Sequence, residues 1–237
     1  MPAPDDSFFA IGDVHGCLDL LRDLLDRIAE QDSMAHVICL GDMVDRGEQS
    51  AGVLALLYAQ VHAKGGRFVC LRGNHEQMML DAIDNPLVCG PNWLRNGGLQ
   101  TLASFGVAGL SETARGDTLI QAMTALQKAL GPDQEQWLRT LPLVWRSGNI
   151  CAVHAGADPA RPIGAQSPDV LLWGHPDFAR TPRADGIWIV HGHTIVPSAH
   201  VAQGRIAVDT GAYATQRLSA AYLAEGAVRF ITAKSSA

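Results

Sequence analysis

Four short apolar runs along the chain share one pattern. "SFFAIGDVHG" spans Ser7 to Gly16 and "HVICLGDMVDRG" His36 to Gly47; "RFVCLRGNHE" spans Arg67 to Glu76 and "NICAVHAG" Asn149 to Gly156. Each opens with residues rich in Val, Ile, Phe or Cys and passes at once to Gly or small residues carrying Asp, Asn or His. Short continuous apolar runs bounded by glycine read as strands buried on both faces. Between the first three, Leu18, Leu21, Leu25 and Ile28 recur at helical spacing, as do Val53, Leu56, Leu57 and Val61. Strand, polar turn, helix, strand predicts βαβ units with parallel neighbours and right-handed crossovers. Ligands in such sheets bind beyond the carboxyl ends of the strands. All four polar turns fall there, so the pattern predicts that they gather along one sheet edge.

From Asp81 to Trp145 the pattern turns helical, around Leu119–Leu130 and Asp133–Leu141. The expectation is a helical insertion, about residues 77–142, that covers part of the site. Strand patterns return in "IWIVHGHT", "AHVAQGRIAVDTG", "RLSAAYLA" and "AVRFITA", with Gly204 and Gly226 as hairpin turns. The tail "KSSA" is expected to fray. With no repeat, low-complexity tract or linker, residues 1–237 read as one α/β domain.

Composition narrows the class. Hydrophobic content of 47% with 18% charged residues predicts a folded globule with a sizeable core. A net charge of −6 argues against general attraction to nucleic acid or anionic membranes. No stretch approaches the ~20 apolar residues that span a bilayer, and "MPAPDDSFFAIGD" lacks the basic region of a secretory signal. The five cysteines form no C-x-x-C pair, and Cys39, Cys70 and Cys151 sit in apolar runs where a thiol acts as a small hydrophobe. A reduced, cytoplasmic protein is the expectation.

The strand ends carry Asp13, His15, Asp42, Asp45, Arg46, Arg72, Asn74, His75 and His154, with His191 and His193 after a later strand. Such hard oxygen and borderline nitrogen donors suit manganese, iron or zinc better than magnesium or calcium alone. Two such ions about 3.5–4 Å apart activate a bridging water and clamp both oxygens of an in-line displacement at phosphorus. That chemistry also requires a bridging carboxylate and an arginine pair for phosphate oxygens. The sequence has candidates for both.

"GDVHG", "GDMVDRG", "RGNHE", "HAG" and "GHT", in this order from Gly12 to Thr194, resemble the phosphoprotein phosphatase family of calcineurin-like metallophosphoesterases, in its small bacterial form; "VDTGA" at Val208–Ala212 extends the match. The resemblance implies two mixed β-sheets sandwiched between helices. It implies that Asp13 and His15 bind a first metal together with His193, with His191 as a rival. Asp42 would bridge both ions, and Asn74 and His154 would complete the second site. Two divalent ions are implied, manganese first, with iron or zinc as alternatives. Their bridging hydroxide would attack phosphorus directly. His75 would protonate the departing alkoxide, with Asp45 holding its tautomer, and Arg46 and Arg72 would grip the phosphate oxygens. A third phosphate-binding arginine is left open between Arg180 and Arg183. "WLRNGG" at Trp93–Gly98 is similar to the bacterial branch and is expected at the substrate groove. Asp209 is expected to accept a hydrogen bond from a ligating histidine. A charge near a helix N-terminus suffices to account for Glu76, with a role behind the metal ligands left open.

Simpler readings hold elsewhere. Taken alone, Asp13 could cap a helix and Arg46 could pair with Glu48; their joint occurrence with every other strand end is what favours a metal site. His36, His62 and His200 read as structural or solvated, His175 as a turn residue, and Trp137, Trp145 and Trp188 as packing. Arg22, Asp23, Asp26, Arg27 and Glu30 form a solvated helix face. For the substrate, the expectation is a phosphoserine or phosphothreonine protein, with phosphotyrosine open; the oligomeric state is left open, a monomer being compatible with the sequence. The alternative is a symmetrical bis(5'-nucleosyl)-tetraphosphate hydrolase. Hydrolases of that kind tend to have Ala where this chain has Asp45, which favours the phosphatase. A non-enzymatic metal-binding adaptor is disfavoured because His75, Asp45 and every matched ligand are retained.

Overall fold

The computed structural model describes residues 1–235. The first run forms β1 (Phe8–Ile11), followed by α1 (Leu18–Gln31), β2 (His36–Cys39), α2 (Ser50–Lys64) and β3 (Phe68–Cys70). A helical stretch comprises α3 (Asn74–Asp84), α4 (Pro86–Trp93), a wide turn at Leu94–Gly98, α5 (Leu99–Ser104), α6 (Asp117–Leu130) and α7 (Pro132–Thr140). Strands β4 (Val144–Ser147) and β5 (Ile150–Val153) precede α8 (Pro168–Trp173). The chain ends with β6 (Trp188–His191), β7 (His200–Ala202), β8 (Arg205–Ala207), α9 (Ala212–Thr215), β9 (Arg217–Ala224) and β10 (Ala227–Lys234).

Two mixed five-stranded sheets result, ordered β10-β9-β1-β2-β3 and β4-β5-β6-β8-β7. In the first, β1, β2 and β3 are parallel, as the βαβ pattern predicts, and β9 joins β1 antiparallel. The single sheet edge expected for the four polar turns is corrected here. β5 pairs with β4 and β6 in the second sheet, so the turns come from two sheets that meet face to face. Alternation along a strand explains how one apolar run serves two layers. Phe8, Ala10, Ile38 and Leu40 pack against Ile150, Ala152, Val190 and Ile206 of the opposite sheet. Phe9, Ile11, Val37 and Cys39 face the other way, toward Leu21, Leu24, Val53 and Leu57 of α1 and α2. Leu119, Met123, Leu126 and Leu138 of α6 and α7 belong to that same helical layer. A smaller cluster under α8, with Cys151, Leu171, Phe178 and Ile189, covers the outer face of the second sheet.

Gly204 and Gly226 lie at positive φ in the β7–β8 and β9–β10 hairpins. Lys234 is not frayed: it pairs with Arg217 in the β10 ladder, and the Ser235 N–H donates to the Gln216 carbonyl. Ser236 and Ala237, the rest of that tail, lie outside the described residues. Among the described residues no helix is long and apolar enough to cross a membrane.

Ile38 is fully buried between the sheets, so Ile38→Ala should destabilise the fold by about 2–5 kcal/mol in urea titration. Val201→Ala on the exposed edge strand β7 should change it by less than about 0.5 kcal/mol.

Candidate active site

The polar turns are built from strained backbone. His15 (φ 43°), Asp42 (φ 50°), Asp45 (φ 71°), Arg46 (φ 68°) and His193 (φ 62°) all occupy the left-handed region that non-glycine residues rarely adopt. Cross-turn hydrogen bonds hold them there. The N–H groups of Val14 and His15 both donate to the Asp42 carbonyl, at 3.1 and 2.9 Å, and Gly16 N–H donates to Met43. The Gly192 N–H donates to the His154 carbonyl, tying the β6 end to the β5 end at 2.9 Å. Gly73 is required by close approach: a Cβ there would sit 2.2 Å from Asp42 Oδ1.

Glu76 locks the centre of this arrangement. Its carboxylate is fully buried and accepts four backbone N–H bonds. Oε2 takes those of Asp42 and Gly73, both at 2.8 Å; Oε1 takes those of Met43 at 2.7 Å and Val44 at 3.2 Å. Burial, with the nearby charge of Asp42, pushes this carboxyl up to about 7 despite the amides that favour its anion. A charge near a helix N-terminus, as the sequence reads it, accounts for the Gly73 contact but not for the three amides of the β2 turn.

Two histidines show how nitrogen lone pairs are delivered to the centre. His15 and His154 each donate Nδ1–H to a backbone carbonyl, Val44 at 2.8 Å and Leu40 at 2.9 Å. That fixes the tautomer and leaves Nε2 facing inward, as in metal-ligating imidazoles. His15 Nε2 lies 3.6 Å and His154 Nε2 3.4 Å from Asp42 Oδ2. Asn74 Oδ1 lies 2.8 Å from His154 Nε2 and 3.0 Å from His193 Nδ1. Two donor groups therefore share Asp42: His15, Asp42 and His75 on one side, Asp42, His154 and His193 on the other. The expected grouping of His193 with Asp13 and His15 is corrected: the left-handed backbone at His193 turns its ring to Asn74, while its backbone N–H donates to Asp13 at 3.0 Å. His191 points elsewhere, its ring edge-on to Phe178 at 4.9 Å.

The electrostatics fit a pair of cations. Burial raises the Asp13 carboxyl well above its usual range, and Asp209 and Asp42 add to the rise. Burial lowers His15 to about 3 and His193 to about 4, keeping both in the neutral, metal-binding form. Burial alone would lower His154 too, yet Asp42 and Asp13 lift it to about 10. A buried anionic pocket that draws a proton onto an inward-facing imidazole has the charge and donors a divalent cation needs.

His75 sits beside this pocket. Its Nδ1–H donates to Asp45 Oδ2 at 2.7 Å, and Nε2 lies 3.9 Å from Asp42 and 3.1 Å from Arg46 Nη2. Burial works against its protonation, but Asp42 and Asp45 outweigh that and raise it. Arg46 also donates to the Tyr213 hydroxyl at 3.2 Å and lies 4.9 Å over that ring. Tyr213, which the sequence gave no reason to single out, stands edge-on to His15 at 5.2 Å. From Arg46 and Tyr213 an open cavity of about 710 Å³ runs along Asp19, Asp23 and Arg27.

Other expectations move. Arg72 Nη1 donates to Gln77 at 3.0 Å and Nη2 to the Arg139 carbonyl, so its guanidinium is engaged with α3 and α7 here. Arg183 is taken up by the carbonyls of Asp158 and Arg161 and by Asp185, whereas Arg180 is exposed. Trp93 is buried against Asp45 instead of lining a groove. The Asp209 carboxylate accepts from the Gly211 N–H at 2.8 Å, not from a histidine ring. His175 serves a turn, its Nδ1 accepting the Asp177 N–H.

Residues 7–197 match the calcineurin-like phosphoesterase family. The chain belongs to that family. It is 30% identical over 174 residues to the symmetrical bis(5'-nucleosyl)-tetraphosphatase of Aromatoleum aromaticum, covering 70% of this chain and 52% of that protein. It is 37% identical over 90 residues to serine/threonine-protein phosphatase 1 of Salmonella typhimurium, 38% of each. The chain thus spans about half the length, or less, of these curated relatives. Two solved structures share its fold, each with a TM-score of 0.66. One is described as a putative diadenosine tetraphosphatase (21% identical, covering 100% of this chain and 97% of that one). The other is a Saccharomyces cerevisiae protein serine/threonine phosphatase (19% identical, covering 99% and 81%).

Glu76→Ala would strip four buried amides of their acceptor. It should lower stability by at least about 3 kcal/mol in urea titration, with Glu76→Gln, which keeps one acceptor oxygen, falling between it and the wild type.

Proposed function

We propose that this protein is a hydrolase that cleaves phosphate monoesters of alcohols, the serine/threonine phosphoprotein class, using His75 as general acid. The observation that supports this is the buried His75–Asp45 contact of 2.7 Å, with the opposite ring nitrogen turned toward Arg46 and Asp42. Asp13, His15, Asp42, Asn74, His154 and His193 would hold two divalent cations, manganese in the first instance, with Asp42 common to both. When bound, such cations supply an activated water and Lewis acidity toward phosphate oxygens.

The chain's own residues do the rest. Arg46 occupies His75 Nε2 in the free enzyme; phosphate oxygens that take the guanidinium release that nitrogen to carry a proton. Asp45 holds the ring by Nδ1 and stabilises its protonated form. His75 then donates from Nε2 to the leaving oxygen as the P–O bond breaks. Arg72 would join the phosphate only after leaving Gln77 and Arg139. A departing alkoxide needs that proton, whereas a departing nucleoside diphosphate is a stable anion and needs it far less.

The names of the tetraphosphatase relatives favour a second reading, hydrolysis of symmetrical dinucleoside tetraphosphates, and by likeness alone they outweigh the single phosphatase match reported above. Asp45 is the chemical argument for the first. The discriminating assay compares manganese-dependent turnover of a phosphoserine peptide and of diadenosine tetraphosphate. The first reading expects the peptide to be preferred, and expects His75→Asn and Asp45→Ala to lower its turnover, about 10²–10⁴-fold for His75→Asn. A strong preference for the dinucleotide would establish the second. Exhaustive chelation should abolish either activity, and turnover that survives it would refute the metal-dependent chemistry.

A further inference from the structure

Trp93 is fully buried, yet its indole N–H is spent on one carboxylate. It donates to both oxygens of Asp45, at 3.0 and 2.9 Å. Thr101 completes the hold. Its hydroxyl donates to Asp45 Oδ1 at 2.7 Å and accepts the Asp45 backbone N–H at 2.9 Å. With His75 on Oδ2, the carboxylate has Trp93 and Thr101 on one oxygen and Trp93 and His75 on the other. It has no direction left in which to rotate without losing a buried partner.

The intervening residues serve the same purpose. Gly97 lies at φ 103°, and a Cβ there would come within 2.6 Å of the Arg46 backbone nitrogen. Its carbonyl accepts that N–H at 3.3 Å. A Cβ on Gly98 would meet the Trp93 ring at 2.6 Å, so the second glycine lets the indole lie against the chain. The spacing of "WLRNGG" is thus explained as a cradle for Asp45 and Arg46. An apolar filler of the same shape would pack as well but would not aim a donor at the carboxylate.

We propose that Trp93 and Thr101 are positioning residues for proton transfer. They fix Asp45 so that Oδ2 grips His75 and turns Nε2 to the leaving group; the inference rests on His75 being the general acid. The Trp93–Thr101 segment thereby sets how well the enzyme handles poor leaving groups, acting only through Asp45 and His75.

The test uses the manganese-loaded full chain and two phosphate monoesters, a phosphoserine peptide with an alkoxide leaving group and p-nitrophenyl phosphate with a stable one. Trp93→Phe and Thr101→Val should each lower kcat for the peptide about 10–100-fold, the range for loss of a residue that orients a functional group. The aryl ester should fall by less than about threefold, since it gains little from general acid catalysis. Thr101→Ser, which keeps the hydroxyl, should restore the wild-type ratio of the two rates. A parallel fall in both substrates, with His75→Asn still separating them, would overturn the inference and leave Trp93 and Thr101 as packing. If His75→Asn itself fails to separate them, the general-acid reading falls and this inference with it. Should Trp93→Phe not fold, Thr101→Val against Thr101→Ser decides by the same ratio.

Discussion

The site depends on where one carboxylate is held. Asp42 projects from left-handed backbone at the end of β2, and its Oδ2 lies 3.4 Å from His154, 3.6 Å from His15 and 3.9 Å from His75. No strand end would choose that conformation alone, since it costs about 1–3 kcal/mol for a non-glycine residue. Its neighbours enforce it. Glu76 binds the amides of Asp42, Met43 and Val44 from below, and the Asp42 carbonyl accepts two amides from the β1 turn. The four-amide clasp and the absence of a side chain at Gly73 are therefore both requirements of placing Asp42. Once Asp42 is placed, the histidines need only present a lone pair, which their bonds to the carbonyls of Val44 and Leu40 ensure.

The two-sheet architecture explains how histidines far apart in sequence meet at this carboxylate. His15 follows β1 of the first sheet, whereas His154 and His193 follow β5 and β6 of the second. The apolar contact between Phe8, Ala10, Ile38 and Leu40 on one side and Ile150, Ala152 and Val190 on the other sets the distance between the sheets. A change in that layer would shift half of the donors relative to the rest. The His75–Asp45 pair is placed differently. His75 belongs to the first turn of α3, and Asp45 is held by Trp93 and Thr101. Asn74 and His75, neighbours at the start of α3, join the two parts of the site.

Much of this was legible in the sequence because strand and ligand lie side by side. An apolar run of four residues followed by "GDVHG" or "RGNHE" fixes both the strand and the side chains at its end, and the structure puts Asp13, His15, Asp42, Asn74, His75 and His154 in those turns. What was not legible needed long-range pairing. The joining of β9 to β1, and the placing of β5 in a second sheet, depend on partners that no local pattern names. His193 was expected beside Asp13 and His15, whereas its ring lies with Asn74, Asp42 and His154, because its side is chosen by a positive φ that residue type does not reveal. Glu76 read as a helix-end charge, since three of its four amides lie more than thirty residues away. "WLRNGG" read as a groove for the same reason: nothing local says that Trp93 reaches Asp45, 48 positions earlier.

The central claim is that one carboxylate serves two cation sites. Calorimetric titration of the metal-stripped chain with manganese tests it most directly. Two equivalents should bind to the wild type, with one equivalent lost in His193→Ala and high-affinity binding at both sites lost in Asp42→Asn. Retention of two tight equivalents in Asp42→Asn, with the protein still folded, would contradict it.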